Sequence, residues 1–80
     1  MNVEPAVREI VENRGLRQTW IVDQMNRIAP ELSMSKAKFS AIVCGGRKMT
    51  GDELMVFCLA TGTNPDYFRN AARRAGQDSA

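Results

Sequence analysis

The chain has 80 residues, a net charge of +2 and 44% hydrophobic residues, which is apolar material for one compact core and too little length for two. It contains no histidine, so the usual general base and the commonest transition-metal ligand are both missing. Cys44 and Cys58 stand in no CxxC or other ligand-spaced pair, which argues against a zinc or redox site and favours reduced thiols in a cytoplasmic protein.

The first periodic segment runs from about Pro5 to Arg14, where Ala6, Val7, Ile10 and Val11 repeat at helical spacing and form one apolar stripe. Pro5 suits a first helical turn, because its missing N–H has no partner there, and Gly15 suits a left-handed stop. A second helix is expected from Arg17 or Gln18, with Ile21, Met25 and Ile28 on one face and an end enforced by Pro30. The stretch from Asn26 to Met34 is then a longer connection than a tight turn.

Ser35 is placed to N-cap a third helix that carries Phe39, Ile42 and Val43 inward and closes at Gly45 and Gly46. Thr50 and Glu53 spell a capping box for a fourth helix, Gly51 to about Thr61. That helix is apolar over most of its circumference, as expected of one packed centrally, and Gly62 is its stop. Asn64 and Pro65 start a last helix in which Tyr67 and Phe68 supply core contacts, with an end expected between Ala72 and Gly76. Met25, Met34, Met49 and Met55 read as fillers of irregular core gaps, and Trp20 as a packing or surface aromatic. Residues 1–76 are expected to form the domain and 77–80 a frayed tail.

The opening segment lacks a basic stretch followed by an apolar one, and nothing approaches the roughly 18 apolar residues of a membrane span. Charge is unevenly placed: no acid lies between Glu31 and Asp52, while Lys36, Lys38, Arg47 and Lys48 fall inside that window. Glu4, Glu9, Glu12 and Asp23 are mixed with Arg8, Arg14 and Arg17 and read as an ordinary solvated surface.

The residues Leu16, Gln18, Ile21, Val22 and Met25, then Ser35, Phe39, Ser40 and Ile42, then Gly45, Arg47, Thr50, Glu53 and Leu54, and last Gly62, Pro65 and Phe68 resemble the Cro and phage-repressor family, or XRE family, of helix-turn-helix domains. The resemblance covers about Val7 to Phe68 and implies an all-α, five-helix lambda-repressor-like helix-turn-helix domain. The connection between the two motif helices is about seven residues longer than the family's tight turn. Asn26 stands where the family has glycine. The insertion, Arg27 to Ser33, either lengthens the first motif helix by a turn or forms a loop on the DNA-facing side.

The resemblance implies a sequence-specific DNA-binding transcriptional regulator of phage or mobile-element type, with the helix 35–43 in the major groove. At the family's base-reading positions stand Lys36, Ala37, Ser40 and Ala41. Lys36 suits guanine O6 and N7, Ser40 either base type, and the alanines a thymine methyl, a good bidentate contact giving about 1–3 kcal/mol of discrimination. Gln18 occupies the family's phosphate position. Ser35, Lys38, Arg47 and Lys48 are the further phosphate candidates, helped by backbone N–H groups at helix starts.

The expected partner is double-stranded DNA, bound by a homodimer that pairs through the last helix around Tyr67 and Phe68. Cofactors, membrane and small-molecule substrates are not expected. The length leaves no room for an effector domain, so regulation by simple occupancy is expected. The alternative is a protein-interaction module or antirepressor-type partner using the insertion and the methionines. An enzyme is disfavoured further because Gly45-Gly46-Arg47-Lys48 lacks the strand and spacing of a phosphate loop.

Overall fold

The computed structural model describes residues 3–69. Over that span the chain is all-α, with α1 at Glu4–Arg14, α2 at Gln18–Ile28, α3 at Lys36–Val43 and α4 at Gly51–Thr61, plus one 3₁₀ turn at Pro30–Leu32. The backbone is helical again over 66–69, and the Asn64 side chain accepts from the Asp66 N–H at 2.9 Å, as a helix start at that point requires. The expected end of that helix, the tail 77–80 and the domain boundary at residue 76 lie outside the described residues.

Local chemistry explains the boundaries. Gly15 stops α1 at φ +62° and Gly62 stops α4 at φ +68°, a conformation that costs glycine nothing. The Thr50 hydroxyl accepts from the Glu53 N–H at 3.2 Å, and the Glu53 carboxylate accepts from the Thr50 N–H at 2.9 Å. The capping box is therefore complete, and both groups satisfy donors that a helix start leaves without partners.

α2 packs most extensively on α4, and α3 packs on both α1 and α2. At the centre Phe57 of α4 stacks on Phe39 of α3, with ring centroids 6.0 Å apart and planes at 24°. Phe57 and Phe68 meet edge to face, with ring centroids 6.4 Å apart and planes at 77°. Such pairs add about 0.5–1.5 kcal/mol beyond burial of their area. Val7, Ile21, Met25 and Ile42 complete the fully buried interior.

Three features differ from the periodicity. Met55 and Leu59 are 58% and 66% exposed, so α4 is not buried all round, and Met55 is no core filler, unlike Met25, Met34 and Met49. Among the described residues α4 packs mainly on α2, and no element covers the side that Met55 and Leu59 share at i, i+4 spacing. Ile28 is 44% exposed, because α2 ends there and the turning chain gives the inward position to Ala29.

The third difference is Glu4, which is buried rather than solvated. Its carboxylate accepts from the Met49 N–H at 3.1 Å, tying the start of α1 to the connection between α3 and α4. At the other end of α1, Arg14 Nη1 donates to the Thr61 carbonyl at 2.6 Å, setting a cation on the C-terminus of α4, where the helix dipole favours one. No helix among the described residues is long and apolar enough to cross a membrane.

Candidate nucleic-acid interface

The outward face of α3 follows from what the helix buries. Phe39 and Ile42 are fully enclosed, which turns the opposite side outward. Lys36 and Ala37 are exposed there, and Ser40 and Ala41 are half-buried. These four stand at i, i+1, i+4 and i+5, so they share one helical face. The exposed Cys44 continues the row one turn further; the sequence marks it only as a reduced thiol, although its spacing of four from Ser40 is visible in the chain.

The start of α3 is fixed by Ser35, whose hydroxyl accepts from the Lys38 N–H at 3.1 Å. That bond uses the hydroxyl as acceptor and leaves its own proton for an external anion. Lys38 is exposed, with Nζ donating to the Ser33 carbonyl at 3.3 Å. Lys36 and Lys48 are exposed and make no ion pair among the described residues.

Arg47 is engaged differently from the lysines. Its two terminal nitrogens grip both oxygens of Glu53 at 3.2 and 3.0 Å, so its charge is matched within the protein. Burial pushes the Glu53 carboxyl up, but the Thr50 N–H, the Arg47 guanidinium and the Thr50 hydroxyl outweigh it. The carboxyl therefore titrates below its ordinary value of 4.5. Arg47 is also held at the end of α3, where its N–H and that of Gly46 both donate to the Ala41 carbonyl, at 3.2 and 2.8 Å.

Gln18 is the first residue of α2 and half-buried. Its N-cap, Arg17, gives no side-chain hydrogen bond to the helix start, so the first-turn N–H groups have no cap there. The structure thus gathers Ser35, Lys36, Ala37, Lys38, Ser40 and Ala41 on one helix, with Arg47 and Lys48 just past its end. Gln18 is carried by the neighbouring helix.

The insertion does not lengthen α2 by a full turn, and most of it forms the connection between α2 and α3. α2 continues two residues past Asn26 to Ile28, and the Ala29 N–H caps it on the Met25 carbonyl at 2.8 Å. A loop then follows through the Pro30–Leu32 turn to Ser33 at φ +49°. Asn26 is the residue whose role had not been foreseen: its side-chain amide pairs with both backbone groups of Met34, at 2.9 and 3.0 Å. An amide standing where the helix-turn-helix family that the sequence resembles has glycine was the only signal. Comparisons with family models, curated proteins and solved structures find no match for this chain.

Proposed function

We propose that the chain is a sequence-specific DNA-binding transcriptional regulator, with a lambda-repressor-like arrangement in which α2 and α3 are the motif helices and α3 enters the major groove. The observation that carries this reading is the division of α3. One side is committed to the core through Phe39 and Ile42. The other offers Lys36, Ala37, Ser40 and Ala41 in a window of the chain that holds no acid from Leu32 to Gly51. Lys36 and Ser40 supply donors for base edges, and the alanines supply methyl groups for thymine.

Affinity comes mainly from phosphate contacts by Lys38, Lys48, Gln18 and the Ser35 hydroxyl, which orient the helix without reading sequence. Arg47 contributes to the backbone contacts only so far as it shares its guanidinium with Glu53. Two copies on a near-palindromic site would set their α3 helices in successive grooves about 34 Å apart. Phe68 is buried in the protomer's own core, so pairing through the last helix would rely on Tyr67 and what surrounds it.

Selection of bound sites from a random duplex pool tests the proposal. Enrichment of an inverted repeat with half-sites about one helical turn apart is the expected result, and a pool that stays unenriched would contradict it. A protein-interaction module is the second reading, favoured by the exposed Met55 and Leu59. An apolar contact of that kind would hardly respond to salt, whereas phosphate contacts would weaken steeply.

A further inference from the structure

Seven residues, 29–35, lie between α2 and α3. A connection of that length leaves the start of α3 free to shift against α2 unless something ties it, since every untied residue keeps its backbone entropy. Asn26 supplies the tie: Nδ2 donates to the Met34 carbonyl at 2.9 Å and Oδ1 accepts from the Met34 N–H at 3.0 Å. One partner atom is a donor and the other an acceptor, which fixes the orientation of the amide.

Met34 is only 4% exposed, so few waters can replace those partners if the amide is lost. Ser35, the next residue, caps α3 through the Lys38 N–H. The clamp and the helix start are therefore one residue apart, and the Lys38 Nζ contact on the Ser33 carbonyl, at 3.3 Å, closes the loop from the helix side.

We propose that Asn26 is the positioning residue of α3: its side-chain amide takes the place of a tight turn and holds the base-facing helix in a single pose against α2. The effect on DNA rests on the function proposed above. Backbone phosphate contacts tolerate small shifts of a lysine, whereas base contacts require the helix in one register. Loss of the clamp therefore lowers discrimination between sequences more than total affinity.

The test uses the full chain, with Asn26→Ala removing both hydrogen bonds and the isosteric Asn26→Asp keeping only the acceptor for the Met34 N–H. Amide hydrogen exchange at Met34 is read first, then affinity for a selected duplex and for an unselected one. In Asn26→Ala, Met34 exchange is expected to rise about tenfold or more, for a loss of two partly buried hydrogen bonds. The selected duplex should bind about tenfold more weakly and the unselected one within about twofold, because the competent pose is populated less often. Asn26→Asp keeps the acceptor for the Met34 N–H but turns a carboxylate oxygen on the Met34 carbonyl, so its preference for the selected duplex should also fall below that of the unaltered protein.

Unchanged Met34 exchange in Asn26→Ala would overturn the proposal, as would equal weakening on both duplexes. If the unaltered protein bound no duplex, the DNA reading would fail alone, and the exchange measurement would still decide whether Asn26 holds α3.

Discussion

Arg47 grips the Glu53 carboxylate with both terminal nitrogens, Nη1 on Oε1 at 3.2 Å and Nη2 on Oε2 at 3.0 Å. Oε1 also accepts from the Thr50 N–H at 2.9 Å. One nearly buried carboxylate thus closes the first turn of α4 and anchors the segment that leaves α3. Glu53→Ala strips the partner from a guanidinium and from a backbone donor at once, and is expected to cost about 2–3 kcal/mol. Thr50→Ala removes only a cap and should cost about 1 kcal/mol. Urea unfolding of the two variants checks the order, and equal costs would contradict it.

The same carboxylate makes stability depend on acid. Glu53 titrates in the folded protein below its ordinary value of 4.5, so the folded state prefers the ionised form more than the unfolded chain does. Its contribution is complete above that ordinary value and is lost as pH falls through the lower folded one. The stability difference between the native protein and Glu53→Gln, measured by denaturant unfolding, should be widest near neutrality and shrink on the acid side. A difference independent of pH would show that the ion pair and cap are not its source.

The cations of the acid-free window should divide into two kinds. Arg47→Ala disrupts a folded-state pair, so it is expected to lower stability while changing the salt dependence of duplex binding little. Lys36→Ala, Lys38→Ala and Lys48→Ala alter exposed side chains and should change stability by no more than about 0.5 kcal/mol. For each of these lysines that neutralises a phosphate, its loss should reduce the slope of log K against log salt by about 0.9. Parallel melts and binding titrations separate the groups, and a steep slope change in Arg47→Ala alone would reverse the assignment.

Packing gives a sharper contrast within α4. Phe57 is fully buried between Phe39 and Phe68, and Phe57→Ala is expected to cost about 3–5 kcal/mol, a large share of what a small domain has. Leu59→Ala, two residues away on the exposed side, should stay within about 0.5 kcal/mol. Thermal unfolding followed by circular dichroism distinguishes them, and a large loss in Leu59→Ala would mean that its face is covered.

The helix boundaries were legible because they are written in neighbouring residues. Ser35, the Thr50 and Glu53 pair, Gly15, Gly62 and Asn64 each act on backbone groups within a turn of themselves, so local spacing suffices to find them. The outward face of α3 was legible for the same reason, since burying Phe39 and Ile42 dictates what faces away. The ties of Glu4 to Met49 and of Arg14 to Thr61 were not, because they join residues 45 and 47 positions apart and nothing in the local pattern pairs them. Arg47 looked like a free cation for a different reason: the window around it holds no acid, and its partner Glu53, six residues on, had already been assigned to the capping box. Periodicity likewise marked Met55 and Leu59 as apolar without indicating that no described element covers them.

The most direct test of the central claim, that α3 and the lysines on and just beyond it bind duplex DNA, is the affinity for a labelled duplex measured over a series of salt concentrations. Log K should fall linearly with log salt, by about 0.9 for each phosphate neutralised, with a shallower line for the variant lacking Lys36, Lys38 and Lys48. Binding that ignores salt, or a triple variant whose line coincides with that of the unaltered protein, would contradict it.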